Sequence, residues 1–400
     1  MAERELLRGR VVTPDGVIPD GVVQIDGDRI AAVSPVEEWR RRLGTPQGDT
    51  GGGGLPESRG VLLPGLVDLH CHGGGGHSFT DGDPDALLAG AAHHLAHGTT
   101  TLIASLVTAA PDDLLEATAA AAELAGAGVF AGVHLEGPYL SARRCGAQDP
   151  RHVRAPDPAE TRRLLAAAGG RVRVMTIAPE LPAYADVAGL LHDESVLVAL
   201  GHTDADHRTT AHAIARVNHR SGPALATHLF NAMPPLHHRA PGPAGAFLTA
   251  AARGGAVVEL IADGVHLSDA TVELVCGLVG ADRIALVTDA MAGAGMPNGS
   301  YTLGAQEVEV NGGVARLAGT DEGSIAGGTA RSIDLVRRCV REIGLDIADV
   351  VRMAATTPAR VLGLDGEIGG LRAGLRADVV VADEDLRPVA VMRAGRWVGP

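Results

Sequence analysis

Lysine is absent from the 400 residues, so all 34 basic side chains are arginine and no group built on a lysine amine is available. Aromatic residues are scarce, with two Trp, three Tyr and four Phe, so the core must be assembled from Val, Leu, Ile and Ala. Four cysteines at 71, 145, 276 and 339 form no CxxC pair, which argues against a disulfide framework and suits a reducing compartment. Basic charge is also short: 34 against 48 acidic residues leaves a net charge of −14, which repels phosphate backbones and anionic lipid. Nucleic acid and membrane surfaces are therefore excluded as expected partners. No apolar run approaches the roughly 18–20 residues of a membrane span, and the charged start Met1-Ala-Glu-Arg-Glu5 lacks the apolar stretch of a signal peptide. A soluble, cytoplasmic protein is expected.

What is present suffices for a large core, since 46% of the residues are hydrophobic. Residues 1–60 hold β-like runs at 6–12 and 22–32, a short helical stretch at 36–43 and a low-complexity loop, Gly51-Gly-Gly-Gly54. The last 35 residues repeat this style, with strands expected at 377–382, 388–393 and 396–398. Between the ends, apolar runs at 65–69, 99–106, 129–135, 172–177, 196–200, 224–228, 257–261 and 284–287 alternate with helical stretches at 84–97, 111–125, 158–168, 182–191, 206–217, 243–252 and 268–279. A hairpin is expected over 301–317, then helices over 329–343 and 347–362. Eight strand-helix units predict an α/β fold, a (β/α)8 TIM-like barrel over 61–365, with 1–60 and 366–400 forming a small β-sandwich domain.

The polar residues fall where such a barrel places its chemistry. The runs end in Asp68-Leu-His-Cys-His72, His134-Leu-Glu-Gly-Pro138, Gly201-His-Thr203, Thr227-His-Leu-Phe-Asn231, Asp263-Gly-Val-His266 and Thr288-Asp-Ala290, and C-terminal strand ends converge on one face. His70 and His72 are two residues apart, so an extended strand turns both imidazoles to one side. With Glu136, His202, His228 and Asp289 they form a set suited to Zn, Fe, Co or Mn, larger than one tetrahedral ion uses. A second metal or a catalytic carboxylate is implied. His93, His94, His97, His192, His207, His212 and His219 lie in or beside helical stretches and receive no role. Gly73-Gly-Gly-Gly76 lacks the GK[ST] ending of a phosphate loop and reads as a flexible loop. Cys71 points away from the histidine side and reads as a core thiol.

These residues resemble the amidohydrolase superfamily and, within it, the N-acetylglucosamine-6-phosphate deacetylase branch. The matching stretches are Pro64-Gly-Leu-Val-Asp-Leu-His-Cys-His72, His134-Leu-Glu-Gly-Pro-Tyr139, Leu200-Gly-His-Thr203, Thr227-His-Leu-Phe-Asn-Ala-Met233, Ile261-Ala-Asp-Gly-Val-His266 and Leu286-Val-Thr-Asp-Ala290. Many amidohydrolases bridge two metals with a carboxylated lysine; this chain cannot, and the resemblance makes Glu136 the candidate for that place. The resemblance implies one divalent metal on Glu136, His202 and His228 and a second on His70 and His72, with zinc first and iron, cobalt or manganese as alternatives. It implies that water activated by the metal attacks the acetamide carbonyl of N-acetyl-D-glucosamine 6-phosphate, giving D-glucosamine 6-phosphate and acetate. Asp289 would carry the proton to the departing amine, and His266 would help polarise the carbonyl. Substrate would be held by Ala147, Gln148, Asn231, Ala232, Ser324, Ile325 and Ala326. Arg239 would bind the phosphate from the neighbouring subunit, which makes a homodimer the implied assembly.

Two departures stand out. Gln148 replaces the histidine common after Gly-Ala in the family, and Ser324-Ile-Ala-Gly-Gly328 has Gly where a small hydroxyl residue is frequent. Both bear on sugar preference. The competing functions are another lysine-free amidohydrolase, such as a D-aminoacylase or nucleobase deaminase, which would not need Arg239, and a non-catalytic sugar-phosphate binding homologue, which would not need Asp289.

Overall fold

A computed structural model describes residues 4–42, 55–221, 223–319 and 323–399; the expected Gly51–Gly54 loop lies outside them. Eight strands form one sheet in which every strand neighbours the next in sequence. They are β1 (Leu66–Asp68), β2 (Thr99–Leu106), β3 (Gly132–Glu136), β4 (Val172–Ile177), β5 (Leu197–Leu200), β6 (Ala224–Ala226), β7 (Ala256–Leu260) and β8 (Ile284–Leu286). Pairing from β2 through β8 is parallel throughout. The strands are buried on both faces, as in the unbroken buried run of β2, which is why they read as continuous apolar stretches and not as alternating ones.

Helices return the chain between strands, and local residues punctuate them. In the helix Pro158–Ala168, Asp157 caps the backbone N–H groups of Ala159 and Glu160, Pro158 occupies the first turn, and Gly169 ends the helix in the left-handed region. Ser268 caps Asp269–Val279 in the same way through Thr271.

The barrel seam between β1 and β8 is closed just beyond the strands. Asp289 N–H donates to the His70 carbonyl at 2.8 Å, and His72 N–H donates to the Ala290 carbonyl at 2.7 Å. Gly328 then lies against this seam; a Cβ there would sit 2.3 Å from the Thr288 carbonyl oxygen, so the glycine admits a close backbone approach that a hydroxyl residue would obstruct.

The chain divides into two compact units, one of Met1–Val67, His94–Thr101 and Ser332–Pro400, the other of Asp68–His93 and Leu102–Arg331. Residues 332–365, assigned to the barrel by their helical pattern, thus group with the terminal strands. In the first unit the order across a seven-stranded sheet is Arg396–Trp397, Pro388–Arg393, Val379–Ala382, Ser58–Pro64, Arg4–Thr13, Gly16–Asp26 and Arg29–Pro35. Leu7, Val11, Val23, Ile25, Leu62, Val379 and Met392 form its core.

Several local expectations are corrected. The run at 22–32 is two strands, because the chain turns at Gly27 with φ of 62°. The expected hairpin over 301–317 is a three-stranded meander, Gly299–Leu303, Gln306–Asn311 and Val314–Leu317. Gly73–Gly74 pairs with His77–Ser78 in a short ladder instead of forming a loose loop. Among the described residues no helix is long and apolar enough to cross a membrane.

Candidate metal centre

Glu136 ends β3 and is almost fully buried, with its carboxylate between two pairs of imidazoles. Its Oε1 lies 3.0 Å from His202 Nε2 and 2.9 Å from His228 Nε2. Its Oε2 lies 3.2 Å from His72 Nε2, and Oε1 lies 3.4 Å from His70 Nε2. Asp289 Oδ1 closes the first pair, 3.1 Å from His72 Nε2 and 3.4 Å from His70 Nε2. The donor atoms thus fall into two groups that share one carboxylate: His70, His72 and Glu136; and Glu136, His202 and His228.

The backbone delivers these side chains at a cost. His202, His228 and Asp289 adopt φ of 46°, 27° and 47°, in the left-handed region that non-glycine residues rarely occupy. Such conformations cost about 1–3 kcal/mol each and cluster at functional sites.

The arrangement fits divalent cations on the chemistry of its donors. His70 Nδ1 faces Glu259 Oε2 at 3.2 Å, His72 Nδ1 faces the Ser105 carbonyl at 3.0 Å, and His202 Nδ1 faces the Arg144 carbonyl at 2.9 Å. Each outer nitrogen therefore donates, and each Nε2 turns a lone pair inward. Lone pairs as close as His70 and His72 Nε2, 3.0 Å apart, or His202 and His228 Nε2, 3.1 Å apart, repel unless a cation or shared proton lies between them. His228 Nδ1 has no hydrogen-bond partner among the described residues.

The centre also concentrates opposite charges, so that without a cation protons compete for the same inward positions. Burial disfavours the charged form of Glu136, yet the imidazoles of His70 and His202 hold it well below the usual carboxylate range. Burial also pushes the His72 imidazole down, but Asp289 and Glu136 outweigh it and lift it to about 9. His134, buried one layer below, is driven well under the ordinary imidazole value by burial and by His70. It acts as a neutral spacer between Ser105 Oγ at 3.0 Å and Thr176 Oγ1 at 2.8 Å.

A cavity of about 400 Å³ opens over the centre and is lined by His72, Glu136, Ala147, Gln148, His202, His228, Asn231, Ala232, His266, Asp289, Ser324 and Ile325. His70 sits behind His72, fully buried. One expected contact, Ala326, is not brought there, and Arg239 is expected only at the neighbouring subunit's site. Ala326 is fully buried in the cluster around Met291 and Val308. Arg239 is exposed, with its guanidinium 2.8 Å from His238 Nε2, and does not line the cavity of its own chain.

The structure adds Arg143, Arg144, Met233 and Leu303 to the lining, and Glu259 and Ser105 behind it. Glu259 had a legible signal, as the one carboxylate in the apolar strand β7. Leu303 had none, since it arrives from the meander. His266 stands at the rim with Nδ1 2.8 Å from Asp263 Oδ2.

The chain matches the amidohydrolase family over residues 61–398. It is 32% identical to N-acetylglucosamine-6-phosphate deacetylase of Bacillus subtilis (strain 168), covering 99% of this chain and 97% of that one. It is 35% identical to N-acetylgalactosamine-6-phosphate deacetylase of Escherichia coli O157:H7, covering 94% of each. Among solved structures, a variant of N-acetyl-D-glucosamine-6-phosphate deacetylase from Mycobacterium smegmatis, in complex with N-acetyl-D-glucosamine-6-phosphate, is 42% identical, with a TM-score of 0.89 and 100% coverage of both chains. With its barrel, its histidine and carboxylate centre and this similarity along its whole length, the chain belongs to the amidohydrolase family.

Proposed function

We propose that the chain hydrolyses the acetamide of N-acetyl-D-glucosamine 6-phosphate to D-glucosamine 6-phosphate and acetate, in amino-sugar catabolism and cell-wall sugar recycling. The observation that carries this reading is a complete donor set, shared through Glu136 and facing a cavity, in a chain similar to deacetylases of phosphorylated amino sugars over its whole length. The donor set takes one or two divalent cations, zinc first, with iron, cobalt or manganese as alternatives. When bound, such a cation supplies a Lewis acid for the amide carbonyl and lowers the pKa of water.

The chain's own groups do the rest. Asp289 takes up a proton at its carboxylate and returns it to the amine nitrogen, which must leave protonated. His266, oriented by Asp263, donates toward the carbonyl oxygen as negative charge develops there. Ala147, Gln148, Asn231, Ala232, Ser324 and Ile325 line the space for the sugar and its phosphate. Arg239, which does not line the cavity of its own chain, serves the site of a partner in a homodimer, where its guanidinium matches a phosphate as a fork. Four cysteines outside any disulfide fit a cytoplasmic enzyme.

The similarity to an N-acetylgalactosamine-6-phosphate deacetylase favours a second reading, in which the C4 epimer is the preferred sugar. Acetate release, measured with and without chelator on both phosphorylated sugars, on N-acetylglucosamine and on an N-acetyl-D-amino acid, decides the matter. Chelator-sensitive release from N-acetylglucosamine 6-phosphate alone is expected. Release from the galactosamine epimer in preference would move the assignment to it, and release from the amino acid alone would move it to a D-aminoacylase.

A further inference from the structure

Gln148 is wedged between two groups that leave its amide one orientation. Its Oε1 accepts the backbone N–H of Thr108 at 2.7 Å, and its Nε2 donates to Glu136 Oε2 at 2.6 Å. The acceptor end is committed to a backbone donor, so the NH2 end must face the carboxylate. The side chain is buried, with 5% exposure, and Thr108 also donates its hydroxyl to the Glu136 carbonyl at 3.2 Å. Both ends of Glu136 are thereby tied to one short segment at the end of β2.

The oxygen that Gln148 holds is the informative one. Glu136 Oε1 faces His202 and His228 at 2.9–3.0 Å and His70 at 3.4 Å, whereas Oε2 is the oxygen nearest His72. A carboxylate free to turn about its last torsion could present both oxygens to the His202 and His228 pair and leave the His70 and His72 pair without a shared ligand. A carboxylate oxygen carries two lone pairs, so a hydrogen bond to one leaves the other for a cation. The amide also adds no charge to a centre that already holds two carboxylates.

We propose that Gln148 is a positioning residue that holds Glu136 as a bridge and so determines whether the His70 and His72 pair takes a second cation. This rests on the metal-centre reading above and is independent of which sugar is the substrate. Outer partners of metal ligands commonly set affinity by about 10–100-fold, and here the effect falls on one of two cations because Gln148 touches one of two oxygens.

The test is a Zn2+ titration of the metal-free full-length protein by calorimetry, with bound zinc counted by elemental analysis, for the parent, Q148L and Q148N. Q148L removes the donor at similar volume. Q148N keeps an amide that is one methylene too short to span Thr108 and Glu136, and it spares the fold if Q148L does not. In either folded variant the weaker zinc is expected to lose about 10- to 100-fold in affinity, while the tighter zinc and the thermal midpoint of the metal-free protein stay near the parent's. Two zinc ions bound with parental affinities in both variants would overturn the proposal, as would equal loss of both ions. A parent that binds two zinc ions yet releases no acetate would fail the substrate reading alone.

Discussion

Asp68 and Thr288 lie 220 positions apart in sequence, yet the Thr288 hydroxyl donates to Asp68 Oδ2 at 2.6 Å in the barrel interior. Asp68 also accepts the backbone N–H groups of His70 at 3.2 Å and Thr288 at 3.3 Å. One carboxylate therefore fixes the chain that leads to His70 and His72 after β1 and the chain that leads to Asp289 after β8.

Replacing Thr288 by valine keeps the volume and removes the donor. A buried acceptor that loses a partner costs about 1–3 kcal/mol, so T288V is expected to unfold at lower denaturant than the parent. Because Asp289 follows directly, turnover should fall as well. Unchanged stability in urea titrations would show that the seam does not depend on this bond.

Asp289→Asn preserves shape while removing the carboxylate proposed to carry the proton. Metal content by elemental analysis should stay near the parent's, since Glu136 and the four histidines remain, and turnover should fall by about 10²- to 10⁴-fold. A variant with full turnover would remove Asp289 from proton transfer.

Arg239 acts across a subunit boundary in the proposed homodimer. R239A is expected to raise KM for the phosphorylated sugar far more than for unphosphorylated N-acetylglucosamine, with the dimer intact by analytical ultracentrifugation. Equal changes on both substrates would mean that the guanidinium does not meet the phosphate, and would turn attention to Arg143 and Arg144, the arginines that line the cavity within the chain.

The Asp263 and His266 pair sets a pH dependence of its own. Burial alone would lower His266 and raise Asp263, but their mutual hydrogen bond wins in both cases, so His266 is raised and Asp263 lowered. The histidine's contribution to stability is complete below its unfolded value and is lost as pH rises through its folded value. The aspartate's contribution is present above its unfolded value and is lost as pH falls through its folded value. The pair therefore stabilises most between about pH 4 and about pH 6.5, the ordinary values of the two groups. D263N should lower the His266 titration midpoint in histidine-resolved NMR and reduce stability most within that window. An unmoved midpoint would show that Asp263 does not govern the ring.

Much of this is legible in the sequence. The run at 172–177 and the helix at 158–168 are recovered at the same bounds, since continuous apolar β-branched runs and an Asp-Pro start are strong local signals. The N-terminal run at 22–32 was misread because Gly27 and Asp28 interrupt it without breaking its apolar character. The strand Ser58–Pro64 was missed, and it is recruited by pairing with Arg4–Thr13 and Val379–Ala382, partners distant in sequence. Gln148 is expected at the sugar from its place after Gly146-Ala147; it does line the cavity, and only side-chain packing shows that its amide also rests on Glu136.

By itself the sequence determined the barrel and the identity of the donors, because both rest on periodicity. Parallel strands buried on two faces must be apolar throughout, and a polar residue that ends such a strand can only project from the common C-terminal rim. The absence of lysine likewise excluded a carboxylated lysine from the centre. Tertiary structure alone decided which groups hold the donors in place: Gln148 on Glu136, Glu259 on His70 and Asp68 on Thr288, at separations of 12, 189 and 220 residues. Hydrogen bonds of that kind depend on ångström distances between side chains carried by different strands, and no local pattern of residues encodes those distances.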